Sequence, residues 1–138
     1  HARKLGNMVF SPFQPRQRLS EVQAVADISI VTLRPGSEQM SVPSKVLGYM
    51  AAARPVLVAA PQHSETARFI LESSAGLVVP PGDAEAIAGA IRDLLDRPAG
   101  MRAMGNSGRT YLEENLSREH IGRRYNHFFV KLLEADNA

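Results

Sequence analysis

Short apolar runs rich in β-branched residues recur along the chain, and each is followed by a segment with the spacing of apolar residues found on a helix. The runs cover residues 8–11, 28–33, 56–60 and 76–79. The third run is apolar at every position, which is typical of a strand buried on both faces of a parallel sheet. The pattern therefore predicts four strands that alternate with helices.

Helices are predicted where apolar residues recur three and four positions apart. Three predicted helices cover residues 19–26, 44–53 and 99–114, and the first of these has Ser20 as its N-cap. Three more helices are predicted to begin after the N-caps Ser64, Asp83 and Ser117. The last helix carries an apolar stripe that we expect to lie mostly in the core, with contact to another domain as the alternative: Ile121, Tyr125, Phe128, Phe129, Leu132 and Leu133. This alternation predicts an α/β fold, a Rossmann-like parallel sheet flanked by helices on both faces.

Composition agrees with one globular domain, since 44% of the 138 residues are hydrophobic and 22% are charged. The absence of cysteine excludes disulfides and a thiol nucleophile. No apolar run approaches the ~20 residues of a membrane span.

The net charge of +2 is small, and the excess of basic over acidic residues lies in the first forty residues. That excess suits a phosphate or an anionic membrane surface, although a solvated surface is the simpler interpretation. Nucleic-acid binding is disfavoured, because aromatic residues make up only 6% of the chain.

Ligands of parallel α/β sheets bind in the loops that follow the strands. Here those loops are residues 11–18, 34–45 and 61–65. In the middle loop, Gly36 gives backbone freedom, and the chain enters a helix near Pro43 whose first amides can hold an anion. Lys45 adds a positive charge. A phosphate-bearing ligand and an ordinary helix with an exposed lysine both explain the pattern. Gly48 inside this helix indicates a close approach, either by a ligand or by a packed neighbour.

The histidines give little indication of acid–base or metal chemistry. His63 and Glu65 are a candidate acid–base pair, with surface placement as the simpler interpretation. His120 and His127 have no third ligand nearby, so a metal site is not expected. No Asp-x-Asp pair, P-loop or Gly-x-Gly-x-x-Gly turn occurs in the sequence.

Four blocks, residues 9–13, 24–28, 43–56 and 75–83, resemble in order and spacing the C-terminal half of a bacterial GT-B glycosyltransferase of retaining group four. The resemblance is particularly to members of this group that build polysaccharides and lipid-linked glycans. The resemblance implies that residues 1–138 are a single partial nucleotide-sugar-binding domain, half of a GT-B fold, whose first strands would precede His1. An acceptor site for a glycan or a lipid-linked acceptor would lie in an N-terminal half. The resemblance further implies a metal-independent, hexosyltransferase-type enzyme without a cofactor. It would be cytoplasmic or at the inner face of the cytoplasmic membrane, and this portion alone would be inactive.

The resemblance also implies which residues meet the nucleotide-sugar. The loop after the first run would contact the nucleobase, and the loop before the Pro-Ser-Lys helix would present amides to the sugar and diphosphate. The expected binding residues are Ser11, Pro12, Phe13, Gly36, Met40, Ser41, Val42, Pro43, Ser44, Lys45, Gly48 and Tyr49, with no catalytic residue and no metal ligand assigned.

One departure from the family pattern concerns two glutamates, which are often found at the positions held here by Met40 and Gly48. We therefore hypothesise that Ser44 or Lys45 replaces the contact to the ribose. Two alternatives stay open at this stage. One is a nucleotide-sugar 2-epimerase-like enzyme, which would rely on His63 and Glu65. The other is a non-catalytic α/β ligand-binding module.

Overall fold

A computed structural model describes residues 5–34, 36 and 42–135. Its sheet has three parallel strands in the order β1-β2-β3. The strands are β1 (Ser29–Thr32), β2 (Val56–Ala59) and β3 (Gly76–Val79). Ser29 lies opposite Val56, and Val56 lies opposite Gly76. Because the strands are parallel and in register, their carboxyl ends meet at one edge of the sheet.

The helices agree with the periodicity of the sequence to within a few residues. They are α1 (Leu19–Val25), α2 (Ser44–Ala51), α3 (Glu65–Glu72), α4 (Ala84–Leu95), α5 (Pro98–Asn115) and α6 (Arg118–Ala135). The three predicted caps at Ser64, Asp83 and Ser117 are confirmed. Their side-chain oxygens accept hydrogen bonds from the backbone N–H three residues later, at 3.2, 2.9 and 3.2 Å respectively.

The core is built around β2, whose four residues are all buried. On one face of the sheet, Val56 and Val58 pack with Val46 and Met50 of α2 and with Ile70 of α3. Side chains alternate between the faces of a strand, so Leu57 and Ala59 point to the other face, where they are buried as well. Since α4 contacts both β2 and β3, helices cover both faces, as the apolar run predicted.

Close backbone approaches explain two glycines. At Gly76 a Cβ would overlap the carbonyl oxygen of Val56 on the neighbouring strand, and at Gly105 a Cβ would overlap the carbonyl oxygen of Ala53. Gly105 therefore lets α5 pack directly on the turn between α2 and β2.

The prediction of a strand at residues 8–11 is wrong. These residues lie outside the helices and strands, and Val9 is 89% exposed. An apolar run becomes a strand only when a neighbouring strand pairs with it and other elements cover its face. None of the described residues does so here. The N-cap predicted at Ser20 is also wrong, because α1 begins one residue earlier and Arg18 occupies the N-cap.

The stripe along α6 is not core in the described part of the chain. Tyr125, Phe128, Phe129 and Leu133 are each more than half exposed. Tyr125 and Phe129 stack on each other, with ring centroids 6.4 Å apart. The helix packs mainly against α5, which leaves its apolar face uncovered. Periodicity correctly identified an amphipathic helix but not what covers it.

Candidate functional site

The candidate site lies at the carboxyl edge of the sheet. Pairing continues to the strand ends, because the N–H of Leu33 donates to Ala59 O at 2.9 Å and the N–H of Ala60 donates to Val79 O at 3.0 Å. The loops after β1, β2 and β3 therefore leave the sheet on the same side. This is the position at which open α/β sheets bind ligands.

The N-terminus of α2 differs from those of α3 and α4. Its N-cap is Pro43, and none of the side chains that the structure describes caps it. The N–H of Val46 donates to Pro43 O at 2.9 Å, whereas none of the described side chains accepts a hydrogen bond from the first N–H groups of the helix, those of Ser44 and Lys45. Both residues are exposed. The positive end of the helix is thus open to an anion, and Lys45 stands in its first turn.

The loop that leads into α2 is described in part. Gly36 is exposed and has a φ of +87°, a left-handed conformation that suits glycine. Val42 is half-buried and packs against the core. The predicted site residues Met40 and Ser41 lie outside the described residues, so their roles stay predictions.

The close approach that Gly48 indicated is made by a side chain of α1. A Cβ at position 48 would lie 2.5 Å from Nε2 and 3.0 Å from Oε1 of Gln23. Arg54, in the segment after α2, also bonds α1, since its guanidinium donates to the carbonyl oxygen of Ala24. The close approach at Gly48 therefore comes from the packing of α1 on α2, and the role of Gly48 in the donor site stays a prediction. Nothing in the spacing of the sequence indicated Gln23, because its contact is with a residue 25 positions away.

Ser11, Pro12 and Phe13 form an exposed coil before α1, and Phe13 is 97% exposed. A 3-10 turn, Arg16–Arg18, joins this coil to α1. The aromatic ring of Phe13 thus stands in solvent on a loop that the resemblance assigns to the nucleobase.

A cleft of about 390 Å³ opens between α1, β1 and α2. Lys45 and Tyr49, two of the predicted site residues, line it together with Gln23 and Ser29. The hydroxyl oxygen of Ser29 is buried and has no hydrogen-bond partner among the described residues. Sequence reasoning missed Ser29, because a serine inside an apolar run gives no signal of its own.

The acid–base pair considered at His63 and Glu65 is not assembled. Glu65 Oε2 accepts a hydrogen bond from Arg68 Nη2 at 2.6 Å, and no hydrogen bond between Glu65 and His63 occurs in the described ranges.

Over those same ranges, no group of three or more histidine and carboxylate side chains could hold a metal ion. None of the described helices is long and apolar enough to cross a membrane.

Comparison with known proteins assigns the family. Residues 1–97 match the sequence profile of the family described as "Glycosyl transferases group 1". The chain is 33% identical over 94 residues to the protein named probable glycosyltransferase WbjE from Pseudomonas aeruginosa, covering 68% of this chain and 23% of that protein. It superposes on sucrose-phosphate synthase from Thermosynechococcus elongatus with a TM-score of 0.73 and 25% identity, covering 92% of this chain and 30% of the synthase.

The chain thus spans less than a third of the length of either protein. The profile match covers most of the chain and includes the open N-terminus of α2. The chain belongs to the glycosyl transferases group 1 family, and its fold is that of the Rossmann-like C-terminal domain of a GT-B glycosyltransferase.

Proposed function

We propose that this chain is the donor-binding part of a glycosyltransferase that moves a sugar from a nucleotide diphosphate-sugar to a glycan or a lipid-linked acceptor. The observation that carries the proposal is the N-terminus of α2, which no described side chain caps, with Lys45 in its first turn, at the carboxyl edge of the sheet. In a chain of this family, that position suits the diphosphate of a donor.

The chemistry follows from where charge develops. When the bond between the sugar and the diphosphate breaks, negative charge builds up on the departing diphosphate. The amides of Ser44 and Lys45 and the ammonium of Lys45 would stabilise that charge from fixed positions. Because these groups supply positive charge themselves, we propose that the transfer needs neither a metal ion nor another cofactor.

The remaining contacts of the donor belong to the same proposal. Ser11, Pro12 and Phe13 would meet the nucleobase, and the exposed ring of Phe13 can stack on it. Gly36, Met40, Ser41, Val42 and Pro43 would bring backbone groups to the sugar and the diphosphate. Gly48 and Tyr49 would border the ribose, with Ser44 or Lys45 making the contact that a glutamate makes elsewhere in the family. The acceptor would bind to a part of the enzyme outside these residues, so that this chain alone binds nucleotide weakly and transfers nothing.

We also propose a cytoplasmic location. A lipid-linked acceptor would hold the complete enzyme at the inner face of the cytoplasmic membrane. Fractionation of cells tests this directly, since enzyme found only outside the cytoplasm and its membrane would contradict it.

The donor site is tested by substitution of Lys45. A charge-assisted hydrogen bond contributes about 1.5–3 kcal/mol, and solvent screening at an exposed position lowers this to about 1 kcal/mol. Lys45→Ala should therefore weaken binding of the preferred UDP-, GDP- or ADP-sugar about five- to tenfold in calorimetric titration. Lys131→Ala, on the exposed face of α6, is the matched control and should leave the affinity unchanged.

An unchanged affinity of Lys45→Ala would overturn the assignment of the diphosphate to α2. Titrations followed by NMR give a second readout, because shifts should centre on residues 11–13 and 36–49. Shifts confined to other regions would contradict the placement of the donor site.

A further inference from the structure

One face of α2 borders the cleft between α1, β1 and α2. Lys45, Gly48 and Tyr49 share this face, because residues three and four positions apart lie together on a helix. Lys45 and Tyr49 line the cleft, and Gly48 beside them has no side chain. The face is therefore recessed at Gly48, about 6 Å along the helix axis from the start of α2.

The side-chain amide of Gln23 lies in this recess. A Cβ at position 48 would lie 2.5 Å from Nε2 and 3.0 Å from Oε1 of Gln23, so the amide sits directly against the backbone of Gly48. The other residues that α1 contributes to the cleft are apolar, namely Leu19, Val22 and Ala26. Gln23 is thus the polar group of α1 in the cleft, and any side chain at position 48 would displace its amide.

The amide of Gln23 has hydrogen-bonding capacity to spare. Gln23 is half-buried and lines the cleft, and no hydrogen bond to its side chain occurs within residues 5–34, 36 and 42–135. The hydroxyl of Ser29 lines the same cleft, and Ser29 is 5% exposed. That hydroxyl is buried without a partner among the described residues. The cleft therefore holds neutral polar groups that a polar ligand would satisfy.

Two adjacent hydroxyls of a sugar ring match the amide of Gln23. An amide presents N–H donors and a carbonyl acceptor side by side, so one hydroxyl can accept from Nε2 while its neighbour donates to Oε1. Lys45 borders the same cleft one turn closer to the start of α2. A diphosphate held at that start would bring sugar hydroxyls, which lie only a few bonds away, to the recess at Gly48.

We propose that Gln23 binds a pair of adjacent hydroxyls of the donor, and that Gly48 leaves the space for its amide. This inference rests on the proposed function, because it takes the diphosphate to lie at the N-terminus of α2. It adds a contact from α1 to those proposed for Ser44 and Lys45. The ribose and the transferred sugar both carry adjacent hydroxyls, and the experiment below separates these two sources.

Gln23→Met tests the contact, because methionine keeps the length of the side chain over Gly48 and removes the amide. Calorimetric titration of the complete protein that its gene encodes uses three ligands. The first is the tightest binder among UDP-glucose, GDP-mannose and ADP-glucose, the second is its nucleoside diphosphate, and the third is the dideoxy form of that diphosphate, which lacks both ribose hydroxyls. A hydrogen bond between neutral groups changes affinity about fivefold.

The pattern of losses identifies the hydroxyls. If Gln23 binds the ribose, Gln23→Met should weaken the nucleotide-sugar and the nucleoside diphosphate about fivefold and leave the dideoxy form unchanged. If Gln23 binds the transferred sugar, the loss should appear with the nucleotide-sugar alone. Asn126→Ala removes the same chemical group from an exposed position on α6, and this control should leave all three affinities unchanged.

Gly48→Ala tests the space for the amide, since the added Cβ would displace the side chain of Gln23. It should cause the same loss as Gln23→Met. The double variant should be no weaker than either single variant, because both substitutions remove one contact. Additive losses in the double variant would overturn the role of Gly48.

Two results would overturn the role of Gln23. One is an unchanged affinity of Gln23→Met for all three ligands. The other is a loss with the dideoxy form equal to that with its parent, because the effect would then come from packing and not from hydroxyls. Lys45→Ala distinguishes these results from failure of the proposed function, since it should weaken all three ligands whether or not Gln23 takes part. A protein that binds none of the three ligands would contradict both proposals.

Discussion

Gly105→Ala is expected to destabilise the fold although alanine is the better helix former. Gly105 lies inside α5 and is buried. A Cβ at this position would overlap the carbonyl oxygen of Ala53 and would lie 2.8 Å from its carbonyl carbon. Ala53 has a φ of +53° in the turn between α2 and β2. Because the obstacle is backbone, no change of rotamer can relieve the overlap, and α5 has to move.

The magnitude follows from two opposing terms. Alanine favours the helix by about 1 kcal/mol over glycine. Overpacking of a close contact costs about 1–3 kcal/mol, and a backbone obstacle belongs at the top of that range. The net loss in the free energy of unfolding should be about 2 kcal/mol. Gly89→Ala in α4 is the matched control, since among the described residues no heavy atom beyond its own stretch of helix backbone lies within 4 Å of its Cβ position, and it should gain about 1 kcal/mol.

Urea unfolding followed by circular dichroism measures both variants. With a slope of about 2 kcal/mol per molar urea, Gly105→Ala should lower the midpoint by about 1 M. The slope itself should stay constant. If Gly105→Ala is as stabilising as Gly89→Ala, then α5 does not pack on the turn after α2, and the reasoning is refuted.

Two further predictions concern the core and the helix caps. Met50→Ala should lower the free energy of unfolding by about 2–5 kcal/mol, because the side chain of Met50 is fully buried. Leu47 lies one turn away and is more exposed, so Leu47→Ala should lower the free energy of unfolding much less in the same urea titration. Ser64→Ala should cost about 1 kcal/mol by removing a helix cap, whereas Ser20→Ala should change stability little, because Ser20 lies inside α1. Equal losses for Ser64→Ala and Ser20→Ala in thermal unfolding would contradict the caps.

Parts of the candidate site could be read from the sequence, because they depend on residues close together in the chain. Pro43 predicted the start of α2, and α2 begins at the next residue. Lys45 falls in its first turn, and Gly36 adopts the left-handed φ that a glycine allows. The cleft could not be read in this way. Its residues come from three separate elements, and no periodicity relates them.

Local chemistry and hydrophobic pattern therefore determined the strands β1 to β3, the helices and the caps at Ser64, Asp83 and Ser117. Tertiary structure alone decided which apolar surfaces are buried. The run at residues 8–10 and the stripe along α6 carry large apolar side chains, as β2 does, yet these are largely exposed in the described part of the chain. Burial needs a second surface to pack against, and the spacing of residues within one segment carries no information about that surface.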